Sequence, residues 1–209
     1  MIKPQKKKES FIKKATSGKL HPFQVMLYLG MTASGFLFLI LTTMYGLQRF
    51  SAGNTVLAME IPRAFILSTL MMLGSSYTMV QARQLFFSDQ IKKAVSYLLF
   101  TLLLGFAFSA TQIIGWVELY AATGQSLYPN VASSYVYVIS GIHFFHVLFG
   151  LGFLLAILIK NFIKSKDIVA ELLLITNPSE KQKMDLLSRY WHYIDGLWLF
   201  LFLVFVLTF

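Results

Sequence analysis

Charged residues are missing from long stretches of the chain, and these stretches outline its fold. A terminal stretch, 190–209, contains a single charged residue, Asp195. Four further stretches carry no charged residue at all: 20–48, 64–82, 94–117 and 119–159. About 20 consecutive apolar residues allow one helix to cross a lipid bilayer. The pattern therefore predicts several membrane-spanning helices.

The longest uncharged stretch, 119–159, exceeds the length of one crossing. Its early part, from Thr123 to Ser134, is polar and rich in turn formers, so we interpret it as a loop. The sequence thus predicts an all-α integral membrane bundle of five transmembrane helices. They form one domain, 22–209, which follows a basic tail, 1–21. The approximate helices are 22–47, 63–85, 92–120, 135–160 and 188–208.

Composition excludes a soluble domain. Of the 209 residues, 56% are hydrophobic and 13% are charged, whereas roughly 25% are charged in an average soluble domain. So few charges cannot cover a surface that faces water. The chain also has no cysteine, which excludes disulfides and thiolate metal sites.

The positions of the basic residues predict the orientation. Sixteen of the 18 Lys and Arg residues lie on one predicted side, and only Arg49 and Arg63 lie on the other. The positive-inside rule places the sixteen in the cytoplasm, with the N-terminus cytoplasmic and the C-terminus periplasmic. The net charge of +9 is then a topology signal that favours anionic lipid. Nothing in it supports binding to nucleic acid.

One long cytoplasmic loop, 161–187, separates the last two predicted helices. Within it, Asp167–Ile175 is apolar enough to form a short helix that lies on the membrane or on a partner. The segment from Asn177 to Glu180 then indicates a turn into a helix start.

Predicted helix 4 carries two histidines, His143 and His146. Their spacing of three residues places both imidazoles on one helix face, near the middle of the membrane. They could ligate a metal or haem, or they could form hydrogen bonds to neighbouring helices or lipid. Because no second cluster completes a ligand set, we favour the structural interpretation.

Predicted helix 5 combines several residues that point to lipid or structural roles. His192 and Asp195 share a face and could form an imidazole–carboxylate pair, serving as a proton relay or as a structural pair, which we favour. Trp191 fits an interfacial aromatic belt. Arg189 beside it is placed to hold a lipid phosphate.

The outer end of predicted helix 3 carries Trp116 and Glu118. Trp116 fits the aromatic belt, and Glu118 fits a solvated helix end. Predicted helix 2 carries small residues, Ser68-Thr69 and Gly74-Ser75-Ser76, which allow neighbouring helices to approach closely.

Three motifs occur in this chain in the order that is typical of a known protein family. Tyr190–Phe202 (YWHYIDGLWLFLF) has the pattern Tyr-Trp-His-aromatic-aliphatic-Asp followed by Trp-Leu-Phe. Ser140–Gly150 (SGIHFFHVLFG) has a paired-histidine pattern, and Ile61-Pro62 with Ser68–Ala82 has a Pro, then Ser-Ser-x-Thr pattern. On these motifs the chain resembles subunit III of haem-copper respiratory oxidases, in the bacterial five-helix form. The resemblance extends over 22–209.

The chain departs from that family at three positions. Gln24, in Phe23-Gln24-Val25-Met26, stands where members usually have a Glu. Gly115, before Trp116, replaces a second Glu, and Phe144 replaces the glycine between the histidines. The two carboxylates therefore do not carry over to this chain.

The resemblance implies a non-redox accessory subunit of a proton-pumping terminal oxidase. Such a subunit packs on subunit I, near subunit II, organises phospholipid, and sustains proton uptake and turnover stability. Haem and copper are then expected in the partner subunits. In this chain we expect no catalytic residue, no cofactor and no metal. The expected location is a bacterial inner membrane, and membership of a larger respiratory supercomplex stays open.

Two alternatives also stay open. A subunit III-like component of a nitric oxide reductase would differ from an oxidase subunit only in its partner. A haem-carrying electron-transfer subunit would need His143 or His146 to pair with His21 or His192 at one depth. Larger family members have two further N-terminal helices, which we expect to be absent here or supplied by another subunit.

Overall fold

A computed structural model describes residues 22–51, 62–122 and 131–208, with the backbone alone for 131–133. The described residues form six helices and no strand, which confirms the predicted all-α class. The basic tail 1–21 lies outside the described residues. The helices are α1 Pro22–Ser51, α2 Arg63–Phe87, α3 Ile91–Ala122, α4 Val131–Lys164, α5 Ile168–Thr176 and α6 Pro178–Thr208.

Two predicted boundaries are wrong, the starts of the fourth and fifth transmembrane helices. The residues 131–134, predicted as loop, are already helical. Helix α6 begins at Pro178, which confirms the helix start predicted at Asn177–Glu180, but it continues without a break through 188, where the transmembrane helix was predicted to begin. Pro fits the first position of a helix, and the Asn177 side chain accepts a hydrogen bond from the Ser179 amide at 3.0 Å. Most of the predicted loop 161–187 is therefore helical.

The short helix predicted within that loop is confirmed as α5. The Asp167 side chain caps it by accepting a hydrogen bond from the Val169 amide at 3.1 Å. Leu174 is buried against the ends of the neighbouring helices. Helix α5 thus forms a fixed connection between α4 and α6.

Four of the described helices, α1, α3, α4 and α6, are long and apolar enough to cross a membrane. Helix α2 has 25 residues, which is sufficient length, but serines, threonines and glutamines lower its apolar content. Serines and threonines among those side chains face other helices, as described below. Large exposed apolar side chains cover the outside of the bundle, as expected for a surface in contact with lipid.

Helix α6 occupies the centre of the bundle, and α1 lies at its edge. Trp191, Trp198 and Phe205 of α6 are at most 1% exposed. Helices α2 and α3 are connected by a tight turn, in which Asp89 has a φ of 60°, and they pack closely against each other. Helix α1 packs mainly on α4 and α6. Its buried residues are Phe38, Thr42 and Tyr45.

Glycines let large aromatic rings approach the backbone in this core. A Cβ added at Gly105 would lie 2.7 Å from Leu151 and 3.1 Å from Trp191. At Gly115, an added Cβ would overlap the ring of Phe65. The resemblance described above implies a Glu at position 115, and the Phe65 ring occupies the space that such a side chain would need.

We expect Gly115→Ala to destabilise the protein by about 1–3 kcal/mol, because the added methyl group overpacks a filled core. Gly141→Ala is the matched control, since nothing lies within 4 Å of its added Cβ. Both changes bring the same gain in helix propensity. Thermal unfolding of the purified complex measures the difference. Equal melting temperatures for the two variants would contradict the packing at Gly115.

Candidate functional site: a polar helix interface beside an apolar cavity

Helix α6 forms hydrogen bonds to a row of hydroxyl groups on α2. Trp198 Nε1 donates to Thr69 Oγ1 at 3.1 Å, and Trp191 Nε1 donates to Ser75 Oγ at 3.3 Å. A third bond joins His192 Nδ1 and Ser76 Oγ at 2.9 Å. We call Thr69, Ser75 and Ser76 the hydroxyl row. Thr69 and Ser75 are about two helical turns apart, as are Trp191 and Trp198. This equal spacing explains why the contact between the two helices repeats.

The hydroxyl row adds hydrogen bonding to the role predicted for helix 2. From sequence, its small residues indicated only close packing. The structure shows that they also satisfy the indole N–H groups of α6, which would otherwise lack a partner in an apolar core. Gln112 Nε2 of α3 likewise donates to Ser68 Oγ at 2.9 Å, so α2 is the shared polar neighbour of α3 and α6.

His192 and Asp195 lie on one face, as predicted, but they do not form a hydrogen bond. His192 Nδ1 and Asp195 Oδ2 are 3.9 Å apart, which exceeds hydrogen-bonding distance. Asp195 is 5% exposed, and neither of its oxygens meets hydrogen-bond geometry with any described residue. The Ser76 hydroxyl lies beside this carboxylate as well, so Ser76 is the common neighbour of both side chains.

His143 lies in a closed aromatic environment. Its ring stacks on Trp198, with 5.3 Å between centroids, and meets Phe38 and Phe108 edge to face. The side chain is 1% exposed, and neither ring nitrogen has a hydrogen-bond partner among the described residues. We expected His143 to form a hydrogen bond to a neighbouring helix or to lipid. The described helices offer it none, because its neighbours are aromatic rings.

His146 shares the face of His143 but has different surroundings. Its Nδ1 donates to the Ile142 carbonyl at 2.8 Å within α4. Its ring packs against Phe38, with centroids 5.5 Å apart, and lines a cavity. Within the part of the chain that the structure describes, no three His, Asp or Glu side chains come together as metal ligands.

The cavity lies between α1, α4 and α6 and has a volume of about 800 Å³. Several of its polar groups have partners in the protein: Tyr190 Oη donates to the His146 carbonyl at 3.2 Å, and Ser34 Oγ and Tyr193 Oη lie 2.8 Å apart. The interior surface that remains is apolar. Most of the wall consists of Phe23, Met26, Leu27, Met31, Phe145, Phe149 and Phe153.

Ion pairs join the helix ends below this cavity. Asp185 Oδ1 accepts hydrogen bonds from Arg83 at 2.6 and 2.9 Å, and Asp185 Oδ2 accepts one from Arg189 at 2.7 Å. Glu180 accepts hydrogen bonds from Lys160 at 2.5 Å and from Lys183 at 3.3 Å. These bonds tie α6 to α2 and α4.

From the sequence alone we interpreted these cations as topology signals, with Arg189 also placed to hold a lipid phosphate. The spacing of four residues between Asp185 and Arg189 was the signal that could have revealed one pair. Arg189 is 56% exposed while it holds Asp185, so its predicted contact with a lipid phosphate stays a prediction.

The structure contradicts the belt role predicted for Trp191 and adds contacts for Trp116 and Glu118. Trp191 is 1% exposed, so its assignment to an aromatic belt is wrong. Trp116 is half-buried, and its Nε1 donates to Ser140 Oγ at 2.9 Å, which joins α3 to α4. Glu118 is exposed, as predicted, and its Oε2 also accepts the Ala64 amide at 3.3 Å. It thereby supplies a partner for an unsatisfied amide in the first turn of α2.

The helices and the comparisons together define the class. Four helices could cross a membrane, and residues 25–208 match the family model described as cytochrome c oxidase subunit III. The protein is a helical membrane protein. It belongs to the cytochrome c oxidase subunit III family.

Individual relatives agree with that assignment. The chain is 30% identical to the cytochrome c oxidase subunit 3 of Papio hamadryas over 145 residues, which are 69% of this chain and 49% of the relative. It is 30% identical to the quinol oxidase subunit 3 of Bacillus spizizenii over 165 residues, 78% of this chain and 75% of the relative. The Bacillus subtilis cytochrome c oxidase subunit 3 is 29% identical over 167 residues. The chain spans about half the length of the primate relative.

We expect Asp185→Asn to loosen the start of α6, because Arg83 and Arg189 lose their shared carboxylate. Hydrogen exchange of the segment 178–190, followed by mass spectrometry on the purified complex, should become several-fold faster. Asp89→Asn is the control, since Asp89 is exposed and forms one pair, with Lys181 at 3.3 Å. Unchanged protection in Asp185→Asn would show that the ion pairs do not hold this helix end.

Proposed function

We propose that the chain is a non-redox accessory subunit of a proton-pumping haem-copper terminal oxidase, and that its own ligand is phospholipid. The cavity between α1, α4 and α6 carries this proposal. Its volume of about 800 Å³ is sufficient for hydrocarbon chains, and apolar side chains form most of its wall. The apolar wall of the cavity would match the apolar acyl chains of a bound phospholipid.

Five membrane crossings fit the geometry better than four. Helix α2 is followed by α3 after a turn of three residues, 88–90. The start of α2 meets Glu118 in the last turns of α3. The two helices therefore cover the same depth, and α2 accompanies α3 across the membrane. Its polar side chains are tolerated there because α3 and α6 satisfy them.

The positions of the charges support a cytoplasmic N-terminus and a periplasmic C-terminus. The ends that carry the ion pairs of Asp185 and Glu180 form the basic side, which the positive-inside rule places in the cytoplasm. At the opposite end, Arg49 of α1 donates to the Thr208 carbonyl of α6 at 2.6 Å. The membrane we propose is a bacterial inner membrane.

Haem and copper belong to the partner subunits in this proposal, with subunit I as the main contact and subunit II as a further one. The names of the relatives include a cytochrome c oxidase and a quinol oxidase, so both electron donors fit. Gln24 lies half-buried in the first turn of α1, and an amide cannot carry a proton. The chain's support of proton uptake would therefore be indirect, through packing and lipid.

The proposed lipid site is tested by filling the cavity. Gly152 lines it, and nothing lies within 4 Å of a Cβ added there. Gly152→Leu should reduce the phospholipid retained by the purified complex and shorten its working lifetime, while initial turnover stays near the original value. Lipid mass spectrometry and turnover over time measure both effects.

The matched control is Gly141→Leu, in the same helix, also with open space but outside the cavity wall. We expect its lipid content to equal that of the unmodified complex. If Gly152→Leu retained the full lipid complement as well, the cavity would not be a lipid site.

The non-redox assignment is tested at the histidines. His143→Phe suits the aromatic surroundings of residue 143, and His146→Gln keeps a donor for the Ile142 carbonyl. The double variant should leave the haem and copper content of the purified complex unchanged, as measured by the pyridine haemochrome spectrum and by metal analysis. Loss of one haem per complex would support the electron-transfer alternative instead.

A further inference from the structure

Helix α5 turns its more apolar side away from the rest of the protein. Four large aliphatic side chains on that side are between 61% and 85% exposed. Their spacing places them on one continuous face. We call them the outer face of α5: Ile168, Val169, Leu172 and Leu173.

The opposite side of α5 contains its only charged residue. Leu174 is buried there, and Ala170, Glu171 and Ile175 are partly buried. A helix on a water-exposed surface shows the reverse arrangement, with its carboxylate outside and its leucines inside. An exposed cluster of aliphatic side chains of this kind marks contact with a membrane or another apolar surface.

The polar groups near the outer face are satisfied within the helix. Asp167 Oδ1 accepts the Val169 amide at 3.1 Å at the N-terminus. Thr176 Oγ1 donates to the Leu172 carbonyl at 2.9 Å at the other end. The outer face can therefore enter an apolar medium without leaving these groups unpaired.

The position of α5 identifies the medium as the bilayer. Three residues connect it to α4 and one residue connects it to α6, and both of those helices are apolar enough to cross the membrane. The end of α5 at α4 thus lies next to the apolar part of α4, and the ion pair between Lys160 and Glu180 holds the start of α6 beside the end of α4. The last turns of α4 expose Ile159, Phe162 and Ile163, so the lipid-facing surface continues up to α5.

Basic side chains stand at the same junction. Lys166 places its ammonium group 4.6 Å from the centre of the Phe162 ring, and Lys164 ends α4. A lysine whose stem follows an apolar surface and whose head lies at the boundary is suited to lipid phosphates.

We propose that α5 lies in the plane of the membrane and inserts its outer face into the cytoplasmic leaflet, with Lys164 and Lys166 beside lipid phosphates. The proposal rests on the membrane orientation given under the proposed function. The insertion depth would be about 5–10 Å into the headgroup–acyl boundary. The lipid leaflet, rather than a protein, is then the partner of this connection between α4 and α6.

The absence of cysteine from the chain permits labelling at single positions. Val169→Cys and Leu172→Cys place a bimane probe on the outer face, and Glu171→Cys places it on the inner side. Leu103→Cys, on an exposed site within α3, reports the surrounding lipid. Each variant is studied as the complete complex in phosphatidylcholine–phosphatidylglycerol nanodiscs. The unmodified complex, labelled identically, corrects for cysteines of other subunits.

Brominated phospholipid should quench the probe at 169 and 172 about as well as at 103, and at least about twofold more than at 171. Aqueous iodide should quench 169 and 172 weakly. Strong iodide quenching there would show a face open to water, and protection from both quenchers would show a protein cover. Either result overturns the proposal. If brominated lipid failed to quench at 103 as well, the membrane assignment itself would be wrong.

Discussion

Hydrocarbon supplies no hydrogen-bond partner, so a polar side chain in a membrane-spanning helix needs a partner inside the protein. Helices α2 and α6 meet this requirement together, since the hydroxyl row of α2 receives the indole N–H groups of Trp191 and Trp198. This contact places α6 at the centre of the bundle, against α2. Helix α1 then packs on the remaining side of α4 and α6, where imperfect closure leaves the apolar cavity.

The helices themselves could be predicted because uncharged segments of sufficient length have few other structures available to them. The helix start at Asn177–Glu180 could be predicted as well, but its continuation into the last transmembrane helix could not, because the charged residues 180–189 resemble a solvated loop in sequence. Ion pairs with other helices stabilise these charged residues in a helical conformation. Lys160 of α4 pairs with Glu180, and Arg83 of α2 pairs with Asp185. Such pairs join residues far apart in the chain, so local sequence does not reveal them.

The candidate site was predictable in part for a similar reason. The face shared by His143 and His146 follows from helical periodicity alone. Their different surroundings do not, since the aromatic rings around His143 come from α1, α3 and α6. The cavity depends on how three helices diverge, which no single segment encodes. The position of Trp191 along the helix fitted the membrane–water interface. Its side chain lies on the helix face that points into the bundle, however, and it is therefore buried.

The ring of Phe65 restricts which substitutions this chain can accept. It fills the space above Gly115 and also contacts Trp198 edge to face, at 5.8 Å between centroids. The side chain of a glutamate at 115 would therefore overlap the ring of Phe65. Residues 65 and 115 have to change together, with a smaller side chain at 65 accompanying the acid. Phe65 thus blocks an acid at position 115, and introducing one by a single substitution passes through a poorly packed intermediate.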